Sequence, residues 1–339
     1  MSNIYQLLTL AAFTAMALSA QNTLPDRVAV NPTDSAAGRD ATLRHSHGLR
    51  SHAPAARALA ATAFGTSDKV NSAGSPANSN SPLRFPGDLS NNGGAVVPYA
   101  QSHAIYMNPV SLAFPNGACT IASCWGDPEG FLRDLGKSNF IHITDQYVNT
   151  LADNRYTVGR SATVTYLQSV APFTDNDILS IVHAVAATTG QTGYGHIYHV
   201  FLPPGQDVCQ SPGVCASNAI CAYHGSANFF DLGHILYTVE PDQLGFGCAV
   251  AAGSPNGARV DSTNSVLSHE MFETITDPDF TAWFNATAVD LLNEEIGDEC
   301  SFINAANSFD VPTFKIGTKV YAVQREYDNS QHACATKPD

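Results

Sequence analysis

"DSTNSVLSHEMFETITDP", residues 261–278, carries the clearest structural signal in this chain. Its large apolar residues recur every four positions, at Leu267, Met271 and Ile275. This spacing predicts a helix with one apolar face that packs on another element. We expect Asp261 or Ser262 to cap the start of the helix and Pro278 to end it.

The same helix carries a pattern that is typical of metal binding. His269 and Glu273 lie one turn apart on one face, the spacing of the two histidines in the zinc-hydrolase motif H-E-x-x-H. A carboxylate is an accepted zinc ligand, so Glu273 can replace the second histidine. Glu270 follows His269 directly and is the candidate general base for a metal-bound water. The alternative is a solvent-exposed acidic helix face without a metal.

A metal site needs at least one more ligand from another segment. The downstream candidates are Glu295 and Asp298, both in "EIGDEC" (295–300), and the less favoured candidates are Asp277 and His224. Zinc is the expected cation because histidine and carboxylate suit it, and Ca²⁺ is the alternative.

Composition divides the chain into three parts. Residues 1–20 contain a short apolar run bounded by small residues, which predicts a signal peptide. Residues 21–95 are rich in Ala, Ser, Asn, Gly and Pro, and are predicted to be a disordered linker or pro-segment. Residues 96–339 are predicted to form one domain, and no segment has the length and apolarity of a membrane span.

The cysteines also indicate export. The chain has eight of them and no C-x-x-C pair, which favours a disulfide set over a cysteine zinc site. We expect Cys119 to pair with Cys124 and Cys300 with Cys334. The remaining four, Cys209, Cys215, Cys221 and Cys248, can pair in three ways that sequence does not separate.

Charge argues against nucleic acid as a partner. Residues 1–84 hold seven of the 16 basic and four of the 30 acidic residues, which leaves nine basic and 26 acidic residues, a net charge of −17, in 85–339. A surface this acidic repels phosphate backbones and anionic lipid. We therefore expect a peptide or an extracellular polymer as partner.

Local patterns predict an α+β fold: one zincin-like domain with a mixed central sheet, disulfide-stabilised, that packs on the 261–278 helix. The predicted strands are 103–114, 141–149, 161–170, 196–204, 233–241 and 318–328. Two further helices are predicted at 127–136 and 174–190.

Several motifs together resemble the Exordium family, also called phosphate-induced proteins. They are "CAYH" (221–224), "GSPNGARVDSTNSVLSHEMFETITDP" (253–278), "AW" (282–283), "EIGDEC" (295–300) and "KVYAVQREYDNSQHAC" (319–334). The resemblance implies a secreted or cell-wall protein. It also implies that His269, Glu273, Glu295, Asp298 and His224 form one recurring site, but it names no reaction.

Two functions follow from these observations. The first is a secreted zinc-dependent hydrolase of peptidase type, with His269 and Glu273 as ligands and Glu270 as general base. The second is a non-catalytic extracellular protein in which the same residues hold a structural cation. The surroundings of Glu270 discriminate between them, because a hydrolase needs this carboxylate free, whereas burial in an ion pair favours the second function.

Overall fold

A mixed eight-stranded sheet forms the centre of the computed structural model, which describes residues 28–30, 43–47, 88–110, 119–167, 171–245, 248–285, 295–300 and 311–339. The described strands are β1 (Val28–Val30), β2 (Leu43–His47), β3 (Ser90–Asn91), β4 (Ala100–Val110), β5 (Tyr156–Val158), β6 (Ala162–Leu167), β7 (Phe173–Thr174), β8 (His196–Phe201), β9 (Val208–Ser211), β10 (Val214–Cys215), β11 (Tyr223–Phe229), β12 (Gly233–Glu240), β13 (Trp283–Phe284), β14 (Thr313–Ile316), β15 (Lys319–Ala322), β16 (Glu326–Asp328) and β17 (Ala333–Ala335).

The central sheet has the order β1-β6-β4-β8-β12-β11-β2, and β5 pairs with β4. In this order, the first five strands (β1, β6, β4, β8 and β12) are parallel to their neighbours. Strand β11 is antiparallel to both of its neighbours, β12 and β2. The predicted α+β class with a mixed sheet is therefore confirmed. The antiparallel strand β11 carries His224, one of the candidate metal ligands.

Helices cover both faces of this sheet. The described α-helices are α1 (Ile121–Cys124), α2 (Pro128–Leu135), α3 (Asp145–Val148), α4 (Asp175–Thr189) and α5 (Ala258–Thr276). Helix α4 packs on one face through residues such as Ile178 and Val182, in a core shared with Tyr198 and Tyr237. Helix α5 lies on the opposite face. Its apolar residues Leu267, Met271, Phe272 and Ile275 pack there with strand residues Ile197, Phe201 and Leu236.

The two shorter predicted helices are confirmed, and their caps explain their bounds. Thr174 caps α4 in a reciprocal box with Asp177, and Gly190 ends the helix in the left-handed conformation, with φ at 68°. In α2, Asp127 accepts a hydrogen bond from the Gly130 amide, and Pro128 occupies the first turn.

Helix α5 differs from its prediction at the start and in its surroundings. It begins at Ala258 after Gly257, and Asp261 does not cap it but accepts hydrogen bonds from Asn256. Every residue from Asp261 to Thr276 is buried. The hydroxyls of the helix suit this burial because they donate to carbonyls of the preceding turn, as Thr274 does to Glu270 and Thr276 to Phe272.

The predicted strand at 141–149 is wrong. Residues Ile141–Thr144 form a 3₁₀ turn that continues into α3, and Asn149 ends it in the left-handed conformation. The β-branched residues suggested a strand, but Ile141 and Ile143 bury their side chains just as well from a helical turn. The predicted strand 318–328 is also divided, because its two pieces, β15 and β16, pair with different partners.

Part of segment 21–95 belongs to the sheet. Strand β1 pairs with β6 and strand β2 with β11, within the segment predicted to be a linker or pro-segment. Order also begins earlier than residue 96, because Leu89 is buried and β3 pairs with β13. Main-chain pairing on a sheet edge needs few large apolar side chains, so composition did not reveal it. Residues 21–27, 31–42 and 48–87 lie outside the described residues.

Four disulfides join the described segments. The predicted bonds Cys119–Cys124 and Cys300–Cys334 are confirmed. The pairing that sequence left open is Cys209–Cys215 and Cys221–Cys248. Such a set is typical of proteins that fold in an oxidising compartment.

Within the described ranges, no helix combines the length and the apolarity that crossing a bilayer requires. The predicted signal peptide at 1–20 lies outside these ranges.

Candidate metal centre

Helix α5 places His269 and Glu273 side by side in the interior. Both side chains are completely buried, and the Nε2 atom of His269 lies 3.0 Å from Oε1 of Glu273. The solvent-exposed helix face, the alternative to a metal site, is therefore wrong. The spacing of one helical turn and the burial of the opposite apolar face together fix this pair.

Strand β11 brings His224 to the same place. This histidine is also fully buried, and its Nδ1 atom lies 3.3 Å from Oε2 of Glu273. The ring of Phe280 stacks on the His224 imidazole with centroids 4.6 Å apart. Phe280 has a positive φ of 58° in the turn after α5, and this unusual backbone holds its ring over the histidine.

The "EIGDEC" segment (295–300) supplies two acids from the other side. The Oε1 atom of Glu295 lies 3.7 Å from Nε2 of His224, and Oδ1 of Asp298 lies 3.8 Å from Nε2 of His269. The segment is held by the Cys300–Cys334 disulfide and by two hydrogen bonds: the Tyr327 amide donates to the Ile296 carbonyl, and the Gln324 amide donates to the Gly297 carbonyl.

These residues form two groups with metal-ligand geometry that share one member. The ligand atoms of His269, Glu273 and Asp298 all lie within 4.8 Å of one another, and so do those of His224, Glu273 and Glu295. Asp298 is the most exposed of the five, at 7 %. The four favoured candidates and the less favoured His224 therefore converge, although they come from three separate segments.

The polar atoms at the centre lack ordinary partners. Nδ1 of His224, Nε2 of His269 and both carboxylate oxygens of Glu273 are buried and make no hydrogen bond within the described part of the chain. The close approaches to Glu273 are thus not aligned hydrogen bonds. Buried polar atoms without partners are costly, and bound cations would satisfy them.

The carboxylates also perturb one another. Burial alone would raise the pKa of Glu273, but the imidazoles of His269 and His224 outweigh it and lower that pKa. Burial, followed by the charge of Glu273, raises the pKa of Glu295 well above its usual range. The pKa values of Glu273 and Glu295 move in opposite directions because so many neighbouring acids cannot all ionise together without a cation.

Glu270 does not belong to either ligand group. Its side chain is fully buried, and its Oε2 atom lies 3.4 Å from Nδ1 of His224. The carboxylate of Glu270 thus lies beside His224 of strand β11. Glu270 is outside both ligand groups, as a general base requires, but its burial is the feature that favours a structural cation.

Asp277 stands apart from both ligand groups. Its Oδ1 atom accepts hydrogen bonds from the amides of Thr281 and Ala282, at 2.6 and 2.7 Å. Burial raises the pKa of Asp277 to about 6, although these two amides oppose the shift. The carboxylate therefore closes the turn that carries Phe280. Its role as a third ligand has no support in this geometry.

One acid of the cluster escaped sequence analysis. Glu326 on β16 is completely buried, and both of its carboxylate oxygens lack hydrogen-bond partners within the described ranges. Burial and the charges of Glu273 and Asp298 raise the pKa of Glu326 well above its usual range. The sequence did contain a signal for Glu326: it is an acidic residue between Tyr321 and Tyr327, in a run that resembles a buried strand, and acidic residues are rarely buried.

Comparison with protein-family models, curated proteins and solved structures finds no match for this chain. The resemblance to the Exordium family therefore stays a prediction that rests on the motifs between 221 and 334.

Proposed function

We propose that this chain is a secreted, metal-dependent hydrolase of peptidase type with a zincin-like architecture. The observation that carries the proposal is the convergence of His269, Glu273 and Asp298, buried and within 4.8 Å of one another. Burying two carboxylates beside an imidazole costs desolvation free energy, which a bound cation would offset by compensating their charge.

The chemistry of the donors favours zinc and a catalytic site. Imidazole nitrogen suits zinc better than Ca²⁺, which prefers an all-oxygen shell. Structural zinc sites are dominated by cysteine ligands, whereas sets of histidine and carboxylate are typical of catalytic zinc. All eight cysteines here are in disulfides, so none of them is available as a ligand. When bound, zinc would polarise a scissile carbonyl and acidify a water.

The residues around the cation would then have separate roles. His269, Glu273 and Asp298 hold it, and Glu270 accepts the proton of the attacking water, because this carboxylate lies beside the ligands without belonging to their group.

The edge of strand β11 is suited to bind an extended peptide substrate. Strand β2 pairs with this edge over five residues and places His47 opposite His224. An extended peptide bound by main-chain hydrogen bonds would lie in the same position, next to the cation. Segment 21–95 would then be a pro-region whose strand occupies the substrate position, and its removal would expose the edge.

A second function has one specific observation in its favour. Glu270 is fully buried and within ion-pair distance of His224. A non-catalytic extracellular protein with a structural cation, bound to a wall polymer or a receptor, would show the same arrangement. The ligand chemistry places this function second, and experiment separates the two.

The test compares wild type with Glu270→Gln after limited proteolysis of segment 21–95. Both proteins are incubated with zinc and a mixed peptide library, and products are read by mass spectrometry. We expect wild type to cut peptides, and the variant to keep its zinc but to lose at least 100-fold in rate, the usual contribution of a general base. Undiminished cleavage by the variant excludes the peptidase mechanism. Zinc binding without any cleavage by wild type favours the structural function.

A further inference from the structure

We propose that the centre holds two divalent cations bridged by Glu273, and not one. The inference rests on the proposed function in that the first cation is the one bound by His269, Glu273 and Asp298. The second would be bound by His224, Glu273 and Glu295.

Glu273 has the orientation of a bridging ligand. Its Oε1 atom lies 3.0 Å from Nε2 of His269, and its Oε2 atom lies 3.3 Å from Nδ1 of His224. The two oxygens of one carboxylate thus face two different imidazoles. A carboxylate in this position holds two metals about 3.5–4 Å apart, the separation found in two-metal hydrolytic sites.

The ligand groups are otherwise independent. One contains His269 and Asp298, and the other contains His224 and Glu295, so each has its own imidazole and its own additional carboxylate. A single cation near 2 Å from every ligand needs all ligand atoms within about 4 Å of one another, whereas the described residues give two groups that each contain only one of the two imidazoles. Each group alone is a three-ligand set of the kind that catalytic zinc uses.

Charge gives an independent argument for the second cation. Five carboxylates converge here with at most 7 % exposure: Glu270, Glu273, Glu295, Asp298 and Glu326. Metal ligands bind in their ionised form, so Glu273, Glu295 and Asp298, together with Glu270 as an ionised base, carry −4, which one divalent cation reduces to −2 and two reduce to 0. Because uncompensated buried charge is expensive, the second cation fits this interior better.

Orphaned atoms occur on both sides of Glu273. Nδ1 of His224 and Nε2 of His269 are both buried without a hydrogen-bond partner among the described residues, and so are both oxygens of Glu326. A single cation on the His269 side would leave the His224 nitrogen unsatisfied. Two cations satisfy both imidazoles and place Glu326 within the field of the pair.

The test is the zinc stoichiometry of the full-length, chelator-treated protein after equilibrium dialysis against Zn²⁺. The matched variants are Asp298→Asn, which alters only the first group, Glu295→Gln, which alters only the second, and Glu273→Gln, which alters both. We expect two zinc ions per chain in wild type, one in each of the first two variants, and at least tenfold weaker binding of both ions in the third.

Other results separate the two proposals. One zinc in wild type and in Glu295→Gln, with none in Asp298→Asn, overturns the pair and leaves the proposed function standing. No zinc in wild type overturns both proposals. Two ions that persist in all three variants are bound elsewhere, which also overturns the pair.

A measurement on wild type alone tests the metal pair even if the variants fail to fold. Wild type loaded with Mn²⁺ is examined by electron paramagnetic resonance. Two ions bridged by one carboxylate give an exchange-coupled spectrum, as the pair requires. Two isolated six-line signals, or one, contradict it.

Discussion

The backbone of Gly297 lies directly against the imidazole of His269. A Cβ atom at Gly297 would stand 2.3 Å from Nδ1 and 2.5 Å from Cε1 of that ring, closer than any real contact. Glycine is thus required at this position by a close approach and not by a positive φ. The contact fixes how the "EIGDEC" segment meets helix α5.

Gly297→Ala is therefore expected to displace His269 and to abolish zinc binding. Overpacking of this kind also costs about 1–3 kcal/mol of stability. The matched control is Gly195→Ala, since a Cβ there meets no atom within 4 Å. Zinc content and thermal unfolding are measured for both variants, and full zinc content in Gly297→Ala contradicts the proposed position of His269.

Gln324 orients the same histidine from the other side. Its Nε2 atom lies 3.2 Å from Nδ1 of His269 and donates to the Gly297 carbonyl at 2.5 Å. The partner of the second ring nitrogen orients an imidazole that binds metal through Nε2, and Gln324 is that partner at Nδ1. Gln324→Met should weaken zinc binding about 10–100-fold.

The control for that variant is Gln243→Met. Gln243 is equally buried and donates to the carbonyls of Cys221 and Pro241, but it does not contact His269. Competition with a chromophoric chelator gives both affinities. Equal zinc affinity in the two variants contradicts the orienting role of Gln324.

The Cys300–Cys334 disulfide should stabilise both the fold and the site. It closes a loop with a sequence separation of 34, for which chain entropy gives roughly 3–4 kcal/mol. Replacing both cysteines with serine should lower stability by about this amount and weaken zinc binding, because the bond anchors residues 295–300.

Cys119–Cys124 is the control bond, with a separation of 5 and an expectation of about 2 kcal/mol. Urea unfolding and zinc titration are compared for the two double variants. The anchoring role fails if loss of the longer bond leaves zinc affinity unchanged.

Glu240 should make stability depend on pH. Burial raises the pKa of this carboxyl from 4.5 to about 8, although the Thr238 hydroxyl that donates to it opposes the shift. Between these two values the unfolded chain has lost the proton and the folded chain keeps it. The free energy of unfolding therefore falls as pH rises through this window, by at most about 1.4 kcal/mol per pH unit.

Glu240→Gln is neutral at every pH and should remove this slope. Urea unfolding from pH 5 to 8, in chelator for both proteins, isolates the contribution of Glu240 from that of the metal ligands. Parallel curves for wild type and variant would show that Glu240 ionises normally in the folded state.

Local sequence patterns predicted the helices whose ends and buried faces are encoded by neighbouring residues. Caps and apolar spacing predicted α2 and α4 within a residue or two of their bounds. They failed at Ile141–Val148, where β-branched residues pack from a helical turn. They also missed β11, because its polar residues, including His224 and Ser226, face neighbouring polar groups and make the strand read as a loop.

The residues of the site that lie in recognisable sequence motifs were predictable. The helix spacing predicted His269 and Glu273, and the need for a further ligand gave Glu295, Asp298 and His224 as candidates. The resemblance then grouped these five residues in one site. Glu326 was not found because its place in the cluster depends on how β16 meets the 295–300 segment, where Tyr327 donates to the Ile296 carbonyl. Such contacts join distant parts of the chain, and no local pattern encodes them.

The presence of the cation is tested most directly by the metal content of the purified protein, measured by mass spectrometry before and after chelation, together with that of His269→Ala. The buried His269, Glu273 and Asp298 predict that wild type carries bound zinc, loses it to the chelator and regains it on dialysis. The variant should hold at least one zinc ion fewer per chain. A wild type that neither carries nor takes up any divalent cation, although it is folded with its four disulfides intact, would contradict the account.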